Sequence, residues 1–265
     1  VYRATECLAC GSSDLLIRPG FLSRIIVWRT TGTDFGEDIQ NNVMICSKCT
    51  FEFSEFRLSN DEEIKYYTDY RSAMYDQQRK ICTPFYENLK TIFEQPWYIE
   101  TRKKAVSDLV SKFVDPLKIN SLLDYGGDTG CLIPDVFKTA KKYVYDLSNR
   151  SLINDVYLYN LEDKFKFDLV ICSHVLEHKS NPSDLITQLK ELMNESGLLY
   201  LEVPYKEVYP IPPNTFDEHL NEWNEKSLKK FLQRHNINIL KMGLYDIANG
   251  SVALKVLCKL NGGVS

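Results

Sequence analysis

Three groups of residues carry types and spacings that could do chemistry. The first is Asp124-Tyr125-Gly126-Gly127-Asp128-Thr129-Gly130, a carboxylate followed by a glycine-dense turn. Glycines let such a turn take positive φ and let a ligand approach the backbone closely. A dinucleotide fingerprint needs G-x-G-x-x-G, whereas these glycines fall as D-x-G-G-x-x-G. An acid two positions before the first glycine suits a cationic ligand better than a pyrophosphate. The second group is Cys7-Leu8-Ala9-Cys10 and, after 35 intervening residues, Cys46-Ser47-Lys48-Cys49. Two such pairs supply four thiolates, enough to close a tetrahedral structural zinc site with no position left for catalysis. The third is the loop Asn214 to Trp223, with Phe216, Glu218 and His219. A Glu-His pair beside an aromatic is a reasonable way to hold an imidazole as general base near neutral pH. A plain surface histidine is the competing account.

These groups need strands to position them. Ser121-Leu122-Leu123 rises into Asp124 as a strand, and Cys131 through Lys141 reads as a helix with Pro134 in its first turn, where proline is tolerated. The N-terminal amides of such a helix favour an anionic group. Lys142 to Tyr145 reads as a second strand ending in Asp146, 22 positions past Asp124, placed to accept from two ribose hydroxyls. Val156 to Tyr159 fits a third strand, followed by Asn160 near a bound adenine. Phe167 to Cys172 is an apolar run of buried parallel type that ends in Ser173-His174-Val175-Leu176-Glu177-His178. A metal reading of His174 and His178 is unattractive, since the pattern is not H-E-x-x-H and the sequence offers no further ligand. Leu185 to Met193 reads as a helix and Leu198 to Pro204 as a fifth strand. Ser227 to Gln233 forms a helix capped by Ser227 or Asn224, and strands at 237–243 and 252–260 close the chain. The expected fold class is α/β, a doubly wound Rossmann-like sheet.

Residues 1–58 read as a small zinc-binding module that needs its metal to fold, with Arg24 to Arg29 as a strand. Residues 59–115 read as a helical connector, its first helix capped by Ser59 or Asn60, and residues 116–265 as the main domain. Within the connector, Tyr66 to Tyr75 holds four tyrosines besides Arg71. Tyr70 and Arg71 could close over a ligand, the guanidinium holding a carboxylate, or the stretch could be a packing face. The composition, 44% hydrophobic and 26% charged, is that of an ordinary globular protein. A net charge of -4 without a basic run argues against nucleic acid as partner. No stretch approaches the ~18–20 apolar residues of a membrane span, and no signal-peptide pattern is evident, so a cytoplasmic setting is expected.

The turn at Asp124 to Gly130 resembles the first motif of class I S-adenosylmethionine (SAM)-dependent methyltransferases, D-x-G-x-G-x-G, with Asp128 at the middle glycine. SAM carries a sulfonium and an ammonium, which suits a pocket lined with carboxylates. The resemblance implies cofactor contacts from Asp124, Gly126, Gly127, Asp128, Gly130, Asp146, Asn160, Ser173 and His174. With the cysteine pairs, the V-L-x-H after the fourth strand and the Glu-His pair after the fifth, the chain is similar to zinc-containing deoxysugar C-methyltransferases. That likeness implies an acceptor site lined by His178, Glu218, His219, Phe216 and His174. In that family a tyrosine stands where this chain has Phe216, and an asparagine where it has His174. The family's further C-terminal domain has no counterpart in these residues. The expectation is methyl transfer from SAM to a small polar acceptor (a sugar, nucleotide-sugar or glycan precursor), with His219 as base, Glu218 orienting it and His178 assisting. Zn2+ would be structural at Cys7, Cys10, Cys46 and Cys49. A non-catalytic, zinc-dependent SAM-binding protein is the alternative from another class, and the glycine spacing disfavours an NAD oxidoreductase.

Overall fold

The computed structural model describes residues 2–148, 150–206, 214–248 and 250–261. The chain opens with β1 (Tyr2–Arg3) and β2 (Leu15–Leu22), turns through helix α1 (Arg24–Thr31), and returns as β3 (Ile39–Cys46), β4 (Glu52–Ser54) and β5 (Phe56–Arg57). Helices α2 (Asn60–Tyr67), α3 (Ala73–Cys82), α4 (Tyr86–Phe93) and α5 (Pro96–Val110) follow. Strands β6 (Ser121–Tyr125), β7 (Lys141–Tyr145), β8 (Val156–Leu158) and β9 (Phe167–Ser173) lead through α6 (Pro182–Glu191) to β10 (Met193–Lys206). Short strands β11 (Thr215–Phe216) and β12 (Asn221–Glu222), helix α7 (Glu225–Arg234) and the hairpin β13 (Ile237–Ala248) and β14 (Ser251–Leu260) come last.

The main sheet has seven strands in the order β13-β14-β10-β9-β6-β7-β8. It is parallel from β10 to β8, and β14 alone is reversed, running antiparallel to both β10 and β13. Every residue of β6 is buried, as a central strand covered on both faces requires. The strand order reverses between β6 and β9, which makes their carboxyl ends, Tyr125 and Ser173, the place where a doubly wound sheet binds ligands. The Rossmann-like reading therefore holds.

Two local expectations do not. Residues 131–140 form successive turns, not a helix. Pro134 has no N–H to give to the Gly130 carbonyl, and the Ile133 amide takes that carbonyl at 3.1 Å instead. Ile133 and Phe137 still reach the core beside Leu122 and Leu169, so burial is met without a helical ladder. Residues 24–29 are helical, not extended. Ser23 caps α1, and Gly32 ends it at φ 79°, its amide bonded to the Trp28 carbonyl. Packing of Ile25 and Ile26 against Tyr66 and Phe216 outweighs the β propensity of Ile-Ile-Val. The second sheet runs β11-β2-β3-β4-β12, with strands from beyond residue 116 at both of its edges.

The caps are as the sequence suggests. Ser59 and Glu62 form a capping box on α2, and Asn224, with Ser227 at the reciprocal position, caps α7. Among the described residues no helix is long and apolar enough to cross a membrane.

Candidate active site

At the carboxyl end of β6 the chain turns through Gly126 at φ 76°, and a Cβ there would lie 2.4 Å from Val175 Cγ2. A Cβ at Gly127 would lie 2.4 Å from the Asp124 carboxyl. Glycine is thus required on both counts: one position admits the loop after β9, the other the carboxylate. Asp124 is 3% exposed, and its Oδ2 has no hydrogen-bond partner among the described residues. Burial pushes its carboxyl up to about 7; Arg102 opposes the shift, and Asp146, Glu202 and Asp128 add to it. A buried, unpartnered carboxylate against a glycine turn fits a cationic ligand group.

The neighbouring carboxylates are already engaged. Asp146 accepts from the Asp128 amide at 2.8 Å and the Ser148 amide at 2.7 Å, tying the turn to the end of β7. Asp128, at φ 52°, accepts from Ser148 Oγ at 2.9 Å and Arg150 at 2.7 Å, with Arg71 3.7 Å away. Asn160 is exposed beyond β8, the last strand of the sheet.

The end of β9 carries a second polar cluster. Glu202 of β10 is fully buried and receives Arg102, Ser173, Tyr200 and Tyr245. Although burial opposes ionisation, Arg102 and His174 hold its carboxyl well below the usual range. Ser173 and His174 therefore sit between the glycine turn and this anchored carboxylate, His174 at φ 56° with Nε2 3.1 Å from Glu202. The turn continues into Glu177, 1% exposed, and His178, whose ring lies 4.8 Å from that of His219. Burial pulls His178 below its ordinary pKa, favouring the neutral imidazole, and its Nδ1 lies 3.0 Å from the Glu218 carbonyl.

Residue 218 is clamped from the other side. Its carboxylate accepts from Tyr75 and lies 3.2 Å from Arg79 Nε, while Asp217 takes the same guanidinium bidentately at 2.8 and 3.0 Å. Burial opposes ionisation of Glu218, but Arg79 and His178 hold its pKa at about 2. Tyr70 packs edge-on against Tyr67 and Tyr75, and Arg71 follows it toward Asp128. Arg29 of α1 donates to the Tyr66 and Thr68 carbonyls and to Gln78, fixing the segment between α2 and α3. Phe216 lies on β11 and is buried. Its strand pairs with β2, which turns the ring into the core with Leu22, Ile25 and Tyr66.

The four cysteines meet at one end of β3. Cys7 Sγ lies 3.5 Å from Cys49 Sγ, and Cys10 Sγ 3.6 Å from Cys46 Sγ. One ion with Zn–S bonds of ~2.3 Å sets sulfur pairs about 3.8 Å apart, so the donor set and its spacing fit zinc.

Sequence reasoning missed Arg79, Arg102, Glu177 and Val175. Each acts through a partner distant in the chain; Glu177 alone carried a local signal, an acid inside an otherwise apolar turn beside a histidine.

A seven-stranded sheet with one antiparallel strand, a glycine turn against a buried acid after its first core strand, and a polar cluster after its fourth define a class I methyltransferase. A family model described as a methyltransferase domain matches residues 98–242, just over half of the chain. The chain belongs to that methyltransferase family, whose members use SAM. Curated relatives match over short stretches. A tRNA U34 carboxymethyltransferase of Campylobacter lari is 33% identical over 57 residues, 20% of each chain. A ubiquinone biosynthesis O-methyltransferase of Glaesserella parasuis is 44% identical over 41 residues, 16% of this chain and 17% of that one. The chain thus spans a fifth or less of the length of these relatives. Among solved structures, 1,6-didemethyltoxoflavin-N1-methyltransferase of Burkholderia thailandensis has a TM-score of 0.54 at 11% identity, covering 83% of this chain and 96% of that one. SAM-bound magnesium protoporphyrin IX methyltransferase of Synechocystis PCC 6803 has a TM-score of 0.50 at 17% identity, covering 77% and 98%. Both likenesses concern the fold.

The state of Asp124 yields a prediction. If the cationic end of SAM faces this carboxylate, affinity should rise with pH through about 7, by up to ~10-fold per unit on the acid side. A proton should be released on binding, visible as a heat that depends on the buffer's ionisation enthalpy. For the free protein the sign is opposite: the folded carboxyl keeps its proton up to about 7 while the unfolded one loses it near 3.8. Asp124 therefore lowers stability as pH rises across that window. A SAM affinity flat between pH 6 and 8 would remove Asp124 from the cofactor site.

Proposed function

We propose that this methyltransferase transfers the methyl group of SAM to an oxygen or activated carbon of a small polar acceptor, a sugar or glycan precursor. The observation that supports this reading is the contact of Val175 on Gly126, which joins the glycine turn to the loop that carries Glu177 and His178. When bound, SAM supplies an electrophilic methyl carbon. Asp124 would face its cationic end, the amides of Gly126, Gly127 and Gly130 would line its approach, and Asp146 would reach the ribose. His219 would take the acceptor's proton, with His178, fixed through the Glu218 carbonyl, positioning the acceptor. Glu218 acts as a positioning residue, held by Tyr75 and Arg79. If the acceptor is carbon beside a ketone, His174 would donate to the enolate oxygen. Tyr70 and Arg71 would cover the acceptor from the α2–α3 side. Resemblance to the deoxysugar enzymes supports the sugar class, and four thiolates at zinc spacing support a structural Zn2+ at Cys7, Cys10, Cys46 and Cys49.

Calorimetric titration of the zinc-loaded protein with SAM, S-adenosylhomocysteine and NAD tests the cofactor. Micromolar binding of the first two and none of NAD is expected, followed by methyl transfer in a screen of sugar nucleotides and glycan precursors. Folded protein that binds no SAM would sink the reading. SAM binding without transfer to any acceptor would favour a non-catalytic SAM-binding protein.

A further inference from the structure

We propose that Glu177, His178 and His219 form a second metal site, one that binds a first-row divalent cation such as Zn2+ inside the acceptor pocket. One ligand atom from each residue lies within 4.8 Å of the other two. Glu177 is 1% exposed, and neither of its oxygens has a hydrogen-bond partner among the described residues. A buried carboxylate left so is costly. His174 offers partial relief, its Nδ1 lying 3.5 Å from Oε1, and this leaves Oε2 untouched.

The ring of His178 points to the same conclusion. Its Nδ1–H donates to the Glu218 carbonyl at 3.0 Å, so the lone pair sits on Nε2. That nitrogen lies 3.9 Å from Glu177 Oε1, too far for a hydrogen bond. Ligand atoms bound at ~2.0–2.2 Å to one ion stand about 3–4 Å apart, so a cation between Nε2 and Oε1 needs little movement. A backbone carbonyl holding the far nitrogen of a ligating histidine is the usual outer support of a metal site. Here that carbonyl belongs to a residue clamped by Tyr75 and Arg79.

The donor set narrows the ion. Two imidazoles and one carboxylate suit zinc, iron or cobalt over magnesium or calcium, and three protein ligands leave positions open for an acceptor. The matching acceptor presents two adjacent oxygens, a vicinal diol or a hydroxyl beside a carbonyl. Coordination acidifies the bound hydroxyl: its O–H bond breaks, the proton passes to water, and the oxygen keeps the electron pair. In this state His219 is a ligand; in the metal-free state the same imidazole is the base. This role rests on the cluster being the acceptor site, whereas cation binding itself does not.

The test uses full-length protein with its cysteine site already filled by Zn2+. Stoichiometric Co2+ is added and metal content is measured after desalting. One further equivalent is expected, giving ligand-field absorption without thiolate-to-cobalt charge transfer. Glu177→Gln, which keeps the shape of the side chain, and His219→Ala should each abolish it while retaining the zinc. No added equivalent, one that carries thiolate charge transfer, or one that survives both substitutions would overturn the site. SAM titration of the same samples separates the two readings, since loss of SAM binding would refute the methyltransferase proposal and leave the cobalt count to decide this one.

Discussion

His219→Ala is expected to lower turnover by roughly 10²–10⁴-fold, the range for removing a positioned proton-transfer group, with SAM affinity within a factor of about two. The asymmetry follows from where things sit. Asp124, Gly126, Gly127, Gly130 and Asp146, proposed to hold SAM, lie at the carboxyl ends of β6 and β7 and in the turn after β6, whereas His219 lies on the strand-poor segment between β11 and β12, its ring against His178 at 4.8 Å. Removing it leaves Asp124, Gly126 and Gly127 untouched. The same loss is expected whether His219 serves as base or as ligand, and the pH profile separates the two. A base yields an acid limb set by an imidazole, which the substitution erases. A metal-bound hydroxyl yields a limb that shifts when Co2+ replaces Zn2+. Equal losses of turnover and SAM affinity would assign His219 to the cofactor, and unchanged turnover would end its catalytic role.

What the sequence revealed and what it hid divide along sequence distance. The core strands were legible because burial on both faces forces unbroken apolar runs, as at Leu122-Leu123 and Leu169-Val170-Ile171. The glycine turn and the cysteine pairs were legible because their chemistry is packed into a few consecutive residues. Helix α1 was hidden, since Ile25, Ile26 and Val27 favour a strand locally and only packing on Tyr66 and Phe216 decides otherwise. The turns at 131–140 were hidden because Ile133 and Phe137 keep helical spacing while Pro134 breaks the ladder. The packing of Phe216 into the N-terminal core was hidden as well, since its partners Leu22, Ile25 and Tyr66 lie about 150 to 190 residues away. The clamp of Arg79 on Asp217 and Glu218 spans nearly 140 residues, and no local pattern announces it. Glu177 did carry a local signal, an acid beside a histidine, but its significance comes from what fails to approach it.

Arg57 is the largest such omission, and Arg57→Ala should destabilise the protein by about 3–5 kcal/mol. Its side chain is wholly buried, and burial pulls the guanidinium down to about 10, which leaves it charged at neutral pH. It donates to the carbonyls of Lys179 at 2.8 Å, Ser180 at 2.9 Å and Leu220 at 3.0 Å, and to Asn221 Oδ1 at 2.8 Å. Asn221 in turn donates to the carbonyls of Glu177 and Lys179 at 3.0 and 2.8 Å. One residue of β5 thus fastens the turn carrying Glu177 and His178 to the segment carrying His219. Truncation strands two or three buried acceptors at ~1–3 kcal/mol each, which lowers Tm by roughly 6–20 °C for a chain of this size. Arg57→Lys should recover part of this, because a single ammonium cannot reach four acceptors set around a planar fork. If Arg57→Ala does not fold, Asn221→Ala tests the same clasp: it removes the amide and leaves Arg57 its carbonyl partners, so a smaller loss is expected. The clasp also predicts a coupling that stability alone would not show. Variants that stay folded at low temperature should bind SAM normally and still lose turnover, because the two imidazoles depend on Arg57 for their spacing and the glycine turn does not. Melting and turnover both unchanged in Arg57→Ala would show that the two segments find their register without it.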